Sequence, residues 1–161
     1  MSEVRFPVAL LLLVLGLAGC AGQPAQESTL APAIQPAYSP EQANVWAEQG
    51  RAALESDNPS AAIEAFRKAV ALDPSNAPAV NNLALLLRAE HDFSAAADVL
   101  KQGLAASPNV AQLHYNLAVI SELYLLDLDQ ALTHYQRYRS LTPEDDALVA
   151  GWVADLERRL Q

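Results

Sequence analysis

Cysteine is almost absent from this chain of 161 residues, in which Cys20 is the only one. A lone thiol cannot form a disulfide within the chain, and it cannot build a thiolate metal site by itself. Three roles are open to Cys20: an inert buried thiol, a catalytic nucleophile with a neighbouring base, or a site of processing. The residues around the cysteine have to distinguish these roles.

Basic residues are also scarce, since 10 lysines and arginines stand against 19 aspartates and glutamates, which gives a formal net charge of −9. An acidic chain repels phosphate backbones, so we expect no nucleic-acid partner. The few cations are dispersed along the sequence, and no basic patch suggests binding to anionic lipid headgroups.

The usual signatures of catalysis are missing as well. The three histidines, His91, His114 and His134, form no metal-ligand pattern, and there is no glycine-rich phosphate loop and no nucleophile motif. His91 lies in a turn between helices, and His114 takes the place of a core aromatic residue. Trp46 and Trp152 are expected in the core rather than on a ligand platform. We therefore predict no enzymatic activity, no cofactor, no metal ion and no small-molecule substrate.

A hydrophobic run of eleven residues, Val8–Ala18, precedes the cysteine. The run is too short to span a bilayer but has the length of a signal-peptide core, and Arg5 supplies a positive start. The end of the run overlaps the letters LAGC, Leu17–Cys20, and this stretch resembles the lipobox of bacterial lipoproteins. The resemblance implies that residues 1–19 are removed as a signal peptide and that Cys20 carries a covalent lipid. Ala21, in place of an aspartate, implies sorting to the outer membrane, with the protein on its periplasmic face.

Residues 20–38 are rich in proline, glutamine and alanine, with prolines at positions 24, 32 and 36. The segment shows no helical periodicity, so it is predicted to be a disordered tether. A tether of this length would let a folded domain stand off from the membrane and reorient.

From Ser39 onward the apolar residues recur with helical spacing, and short breaks rich in proline, aspartate and asparagine separate the helices. No segment alternates as a strand would. Ser39 is expected to cap the first helix, with Gln42 completing a capping box and Pro40 at the first helical position. The pattern predicts an all-α fold of seven helices, at about residues 40–56, 59–71, 77–90, 93–106, 110–125, 128–140 and 143–160.

Breaks and small residues repeat at a period of 34 residues, as in the pair Pro74 and Pro108 and in the series Gly50, Ala84 and Ala118. This spacing resembles that of the tetratricopeptide repeat. The resemblance implies a short right-handed α-solenoid of three helix pairs and a C-terminal capping helix. The third repeat has one extra residue, which we place in the turn at 124–129. The implied boundaries are 39–145 for the repeat region, 43–76, 77–110 and 111–145 for the repeats, and 143–161 for the capping helix.

The spacing has a physical reason, because two helices approach closely only where small residues face each other. Asn58, Asp92 and Asp127 are expected to cap the second helix of each pair. In the capping helix, an apolar stripe with a four-residue spacing is expected to face the last repeat. The members of this stripe are Leu148, Trp152, Leu156 and Leu160, supported by Val153.

In the family that the chain resembles, the first helix of each repeat lines a concave groove that takes a peptide or a helix. The amides of Asn82 and Asn116 suit the backbone of such a ligand, and we expect them to contribute little to folding. Of the family's carboxylate-clamp positions only Asn82 matches, which favours a more neutral, mixed groove. The alternative is that these polar residues are the solvated side of amphipathic helices. The candidate groove residues are Arg51, Asn81, Asn82, Leu85, Arg88, Gln112, Tyr115, Asn116, Val119 and Glu122.

The function that these features favour is a non-enzymatic, lipid-anchored adaptor that binds a protein or peptide partner in the periplasm. By its layout the chain resembles tetratricopeptide lipoproteins that assist pilus or secretin assembly. Two alternatives stay open: an adaptor for peptidoglycan hydrolases or synthases, and a structural lipoprotein that associates with itself. Arg51 and Arg88 add positive charge to the groove and suggest an acidic or carboxylate-bearing ligand.

Overall fold

The computed structural model describes residues 37–142 and 146–161, so the predicted signal peptide, Cys20 and the tether as far as residue 36 lie outside the described residues. The predicted all-α fold is confirmed, since the described part consists of helices and contains no strand. No helix in this part is both long and apolar enough to cross a membrane. The helices are α1 (Pro40–Glu55), α2 (Pro59–Leu72), α3 (Ala77–Ala89), α4 (Phe93–Ala106), α5 (Ala111–Ile120), α6 (Leu128–Leu141) and α7 (Ala147–Arg159).

The helices form three pairs, in which α1 packs on α2, α3 on α4 and α5 on α6. Each pair also packs on the next. Glycine permits the closest of these approaches. A Cβ atom at Gly50 would lie 2.8 Å from the ring of Phe66, and one at Gly103 would lie 2.6 Å from Cγ1 of Val80. These contacts support the expectation that small residues at the repeat positions allow the helices to approach closely.

Two apolar clusters form the core. The larger one joins α1 to α5 and includes Phe66, Leu83, Leu100 and Leu117, all fully buried. Trp46 packs at its edge, where the ammonium of Lys68 lies 4.2 Å from the indole centroid. The smaller cluster joins α5, α6 and α7, and its buried members are Ala118, Ala131, Tyr135, Val149, Val153 and Leu156.

The predicted stripe of the capping helix is wrong in part. Val149, Val153 and Leu156 are buried, whereas Leu148 is 71% exposed and Leu160 is exposed as well. A strict four-residue spacing turns by roughly 40° around the helix at each step, so such a stripe leaves the face that it started on. The buried residues instead follow steps of four and three, which stay on one face.

Helix caps follow the sequence closely at the second helices. The side chains of Asn58, Asp92 and Asp127 accept hydrogen bonds from backbone N–H groups three residues on, as predicted. The predicted capping box at Ser39 is wrong, because its side chain caps nothing. Its backbone N–H instead donates to the carbonyl of Leu72, over 2.9 Å, and ties the start of α1 to the end of α2.

The extra residue of the third repeat produces an irregular turn. Helix α5 ends at Ile120 and continues as a π-helical turn, Ser121–Leu125, after which Leu126 has φ 56° and ψ 27°. The corresponding turns of the other two pairs contain Asp57 and His91, also with positive φ. The structural irregularity therefore begins at Ser121, before the segment at 124–129 in which the sequence places the insertion.

Candidate functional site

A ladder of side-chain amides connects the first helices of the pairs. Asn76 Nδ2 donates to Asn44 Oδ1 over 3.0 Å, and Asn116 Nδ2 donates to Asn81 Oδ1 over 2.5 Å. Gln112 Nε2 in turn donates to Asn116 Oδ1 over 3.3 Å. These residues lie on α1, α3 and α5 or at the start of α3. The surface that these three helices form, with the side of α7 that carries Trp152, is called the first-helix face.

Asn116 differs from its expected role on this face. It is only 5% exposed, and its amide is engaged on both sides, as donor to Asn81 and as acceptor from Gln112. A buried amide with two satisfied partners stabilises the joint between α3 and α5. Its removal would break both hydrogen bonds, so Asn116 lies between α3 and α5 as a structural residue and not as the free, ligand-facing amide that the sequence predicts.

Aromatic side chains gather where α5, α6 and α7 meet. The ring centroid of Tyr115 lies 5.3 Å from that of Tyr138 and 6.4 Å from that of Trp152. Tyr135 is buried behind them, 6.3 Å from Tyr115 and 5.6 Å from Trp152. These four residues are called the aromatic cluster, and their separations are those of favourable ring pairs.

Trp152 is the member of this cluster that the sequence argument misplaced. We expected it in the core, but it is 37% exposed and packs against Tyr115 at the first-helix face. The repeat gave no signal for this exposure. Counting 35 residues on from Ala118, the length of the third repeat, reaches Val153, which is buried, but the same count leads from the fully buried Leu117 to Trp152.

Glu122 is tied to its neighbours rather than free. Its carboxylate accepts a hydrogen bond of 3.1 Å from the hydroxyl of Tyr135 and lies 3.6 Å from Nη1 of Arg159. Burial, and then the charge of Glu122 and its hydrogen bond, raise the pKa of Tyr135 well above its usual range. The ion pair holds the last turn of α7 beside the π-helical turn.

The two groove arginines differ from each other. Arg51 forms an ion pair with Glu48 of its own helix, and Nε of Arg51 donates to Oε2 of Glu48 over 3.2 Å. Arg88 is half-buried in the last turn of α3, and no ion pair is formed on it within the described residues. Arg88 is therefore the cation of this face whose charge is open to a ligand.

The remaining candidates lie around these features. Asn82 and Leu85 are half-buried on α3, and Val119 packs against the smaller core cluster. Asn81 and Gln112 line an open cleft of about 230 Å³ between the beginnings of α3 and α5. The structure thus brings the residues of α3 and α5 together, with the aromatic cluster at one end, whereas Arg51 lies apart on α1.

The comparisons with known proteins agree with this architecture. Residues 53–118 match the tetratricopeptide repeat family. The match runs from the second half of α1 into α5 and so includes the whole second repeat. No curated protein matches the sequence.

Solved tetratricopeptide structures are similar to the chain in fold. The first such domain of Spaghetti (RPAP3), bound to the HSP90 peptide SRMEEVD, is 19% identical, with a TM-score of 0.65 over 79% of this chain and 98% of that one. The domain of Sgt2 from Aspergillus fumigatus is 20% identical, with a TM-score of 0.60 over 77% of this chain and 82% of that one. The described part of the chain is thus a short all-α tetratricopeptide solenoid.

The same fold also occurs inside an enzyme. An O-GlcNAc transferase from Thermobaculum terrenum is 21% identical, with a TM-score of 0.56 over 71% of this chain but only 22% of that one. The chain corresponds to a minor part of that protein. The tetratricopeptide fold alone therefore does not decide function, which has to be argued from the residues on the surface.

Proposed function

We propose that this protein is a non-enzymatic adaptor that binds a segment of another protein on its first-helix face. The observation that carries the proposal is that the first-helix face holds the aromatic cluster, the half-buried amide of Asn82 and, on Arg88, a guanidinium that forms no ion pair within the described residues. Tyr115 and Trp152 supply apolar contact area, Asn82 supplies a donor and an acceptor, and Arg88 supplies a charge. Tyrosine, tryptophan and arginine are the residues that most often dominate the energy of protein interfaces.

The aromatic cluster is suited to binding because its rings hold one another in place. Tyr115 packs between Tyr138 and Trp152, and the hydroxyl of Tyr138 donates to Asp146 at 3.5 Å. A partner that binds here has few rotamers to freeze, so little of the contact energy is lost as side-chain entropy. The partly exposed indole of Trp152 offers the largest of these ring surfaces.

The charges of the face favour an acidic group on the ligand. Arg159 offsets Glu122 and Glu48 offsets Arg51, so these four side chains contribute little net charge to the groove. Arg88 is left to attract a carboxylate, and the amide of Asn82 can bind the adjacent backbone. The ligand that fits is an extended segment with an aromatic or aliphatic anchor and an acidic side chain.

We also propose that a lipid on Cys20 anchors this adaptor at the periplasmic face of the outer membrane. The support is the eleven-residue apolar run whose end overlaps LAGC, followed by Ala21. Several acyl chains hold a protein stably on a bilayer, whereas one chain does not. In that setting the adaptor would help to assemble or localise an envelope machine such as a pilus or a secretin.

Anchoring is tested by replacing the cysteine. In cells that produce Cys20→Ser at the level of the native protein, the chain should keep its signal peptide and should not incorporate radiolabelled palmitate. It should also leave the outer-membrane fraction. Ala21→Asp, which keeps the lipid, should move the protein to the inner membrane. A Cys20→Ser protein that still fractionates with the outer membrane would refute the lipid anchor.

Partner binding is tested by crosslinking in cells. A photoreactive phenylalanine analogue in place of Leu85 should trap a partner, whereas the same analogue in place of Gln102, exposed on α4, should not. Arg88→Glu should abolish the adduct at position 85. A pilus or secretin component in that adduct supports the assembly role, while a peptidoglycan enzyme or a second copy of the chain would replace it. Equal adducts at both positions would refute the first-helix face as the binding surface.

A further inference from the structure

An exposed apolar surface lies at the turn between α5 and α6. Leu123 is 60% exposed and Leu126 is 75% exposed, while the ring of Tyr124 is stacked on that of Phe93 from the preceding repeat at 4.2 Å and 14°. These four residues are called the apolar knuckle. The stacking spans two repeats, so the knuckle is a surface made by the solenoid rather than by one loose loop.

The backbone of the knuckle is unusual in two ways. It contains the π-helical turn, Ser121–Leu125, a rare geometry that is found frequently at functional sites. It also holds Leu126 in the left-handed region, at φ 56°, where a leucine is strained and asparagine or glycine is favoured. The corresponding positions of the other two pairs have the polar residues Asp57 and His91.

Folding does not explain the leucines of the knuckle. Because Leu123 and Leu126 are mostly exposed, they bury little apolar area, and Leu126 adds backbone strain. Single exposed leucines are common on protein surfaces, but here two adjoin a stacked pair of rings on a distorted helix end. Contact with another molecule is what would offset the cost of this arrangement.

The charges around the knuckle indicate what that molecule contains. Residues 88–93 and 121–129 together hold five carboxylates and one arginine, Arg88. Glu122 is paired with Arg159, so four carboxylates stand against Arg88. Asp92 and Asp127 are fixed beside the knuckle as helix caps, and Glu90 and Asp129 are exposed. An acidic border attracts lysine and arginine and repels anionic lipid headgroups.

We propose that the apolar knuckle is a second docking surface, which binds a protein segment whose apolar side chains are flanked by lysine or arginine. The apolar side chains would cover Leu123, Leu126 and Tyr124, and the flanking cations would lie against Asp127, Asp129 and Glu90. The preference is opposite to that of the first-helix face, where Arg88 favours an acidic ligand. The two surfaces would thus let one adaptor hold two different segments at once.

Designed peptides test this proposal directly. Residues 35–161 form a compact unit of their own, so the mature chain carrying Cys20→Ser can be used in solution. One fluorescent peptide has a phenylalanine among three leucines, flanked by three lysines on each side, and its control has glutamates in place of the lysines. Fluorescence anisotropy should give a dissociation constant at least tenfold lower for the lysine peptide.

Variants then locate the binding. Leu126→Asn should weaken the lysine peptide at least tenfold while keeping or raising the melting temperature, because asparagine tolerates the left-handed conformation better than leucine. Leu123→Gln should weaken it as well. Leu148→Asn, a matched change of an exposed leucine on α7, and Asn82→Ala on the first-helix face should leave the affinity unchanged.

Four results would overturn the proposal. Equal affinity for the two peptides would show that the acidic border does not contribute to binding. Equal losses of affinity for the lysine peptide in Leu126→Asn and Leu148→Asn would show that the peptide does not bind at the knuckle. Binding to vesicles of phosphatidylcholine and phosphatidylglycerol that Leu126→Asn abolishes would make the knuckle a membrane contact. A dimer in sedimentation equilibrium that Leu126→Asn dissociates would make a second copy its occupant.

Discussion

His114 and His134 share a hydrogen bond that depends on their protonation. Nε2 of His114 lies 3.0 Å from the carbonyl oxygen of Pro108, so it carries a proton and donates it. When His114 is neutral its Nδ1 is an acceptor, and Nδ1 of His134, 2.8 Å away, donates to it. Burial, His114 and Lys101 lower the pKa of His134 to about 4, and Asp127 opposes them.

This pair predicts a specific dependence of stability on pH. The pKa of a histidine in an unfolded chain is about 6.5. Because the folded pKa of His134 is lower, at about 4, the unfolded state binds the proton first as pH falls. Stability should be full above about pH 6.5, should decline between there and about pH 4, and should show no further loss from this group below that value.

The prediction is checked by measuring melting temperature from pH 8 to pH 4 for the native sequence and for His134→Gln. Glutamine can still donate to Nδ1 of His114 but does not titrate, so the variant should lose less stability over this range. The carboxylates that titrate near pH 4 are common to both proteins and cancel in the comparison. Two parallel curves would show that His134 does not control this part of the profile.

Two glycines, Gly103 and Gly151, differ in the space around them, and substitution of each by alanine tests this difference. A Cβ at Gly103 would meet Cγ1 of Val80 at 2.6 Å and Cδ1 of Leu113 at 3.3 Å, and both neighbours are buried. Gly103→Ala should therefore destabilise the protein by about 1–3 kcal/mol. A Cβ at Gly151 would have nothing within 4 Å, so Gly151→Ala should stabilise α7 by about 0.5–1 kcal/mol. Urea denaturation measures both, and two changes of the same sign would contradict this description of the packing.

Some residue roles could be predicted from sequence because they depend on near neighbours. Asn58, Asp92 and Asp127 cap helices through backbone groups three residues away, a distance that the sequence displays. The role of Asn116 could not be predicted, because its partner Asn81 is 35 residues distant and belongs to another repeat. Burial of an amide between two helices depends on how those helices are aligned, which the repeat pattern does not specify.

Helix α7 shows how far the sequence predicts a whole element. Its existence and its packing on the last pair could be predicted, but the face that it buries could not be identified from a four-residue spacing. Val149, Val153 and Leu156 face Ala118, Ala131 and Tyr135 in the smaller core cluster. The repeat count, extended by the 35 residues of the third repeat, does not identify this face either, because it leads to the partly exposed Trp152 as well as to Val153.

A matched pair of leucines tests which face of α7 is buried. Leu156→Ala should lower the free energy of unfolding by about 2–5 kcal/mol, because Leu156 is completely buried. Leu148→Ala should change it by less than about 0.5 kcal/mol, because Leu148 is mostly exposed. Chemical denaturation of both variants is the measurement. Similar decreases in the free energy of unfolding would indicate that Leu148 is buried together with Leu156, as the four-residue spacing predicts.

The only sign of the π-helical turn in the sequence is a repeat spacing that is one residue longer than the others. The spacing from Ala96 to Ala131 is 35 residues, compared with 34 from Ala62 to Ala96, which shows that an insertion is present. A chain can accommodate one residue in a longer turn or in a widened helix, and the count does not distinguish these outcomes. The exposed leucines that result could therefore be found only in the structure.

At the scale of the whole molecule, the 34-residue period carried the resemblance to the tetratricopeptide repeat, and that resemblance implied the solenoid. Each pair buries its apolar face only against a neighbour, so the stacked pairs share a continuous core. The binding surface was predicted less completely. Its α3 and α5 residues occupy repeat positions, but the contacts of Tyr115 with Tyr138 and Trp152 depend on how α6 and α7 pack against α5, which the sequence does not display.

Binding of the partner to the first-helix face can be tested by one comparison of affinities. The partner segment trapped at position 85 is titrated against the native chain, against Asn82→Ala combined with Arg88→Gln, and against Arg67→Gln combined with Gln102→Ala. The last pair changes exposed residues of α2 and α4 as a matched control.

The double change on the first-helix face should raise the dissociation constant at least tenfold, since two lost hydrogen bonds at about 1 kcal/mol each suffice for this. The control pair should leave it unchanged, and all three proteins should keep the same melting temperature within a few degrees. An unchanged dissociation constant for Asn82→Ala with Arg88→Gln, at an unchanged melting temperature, would show that the partner binds elsewhere on the molecule.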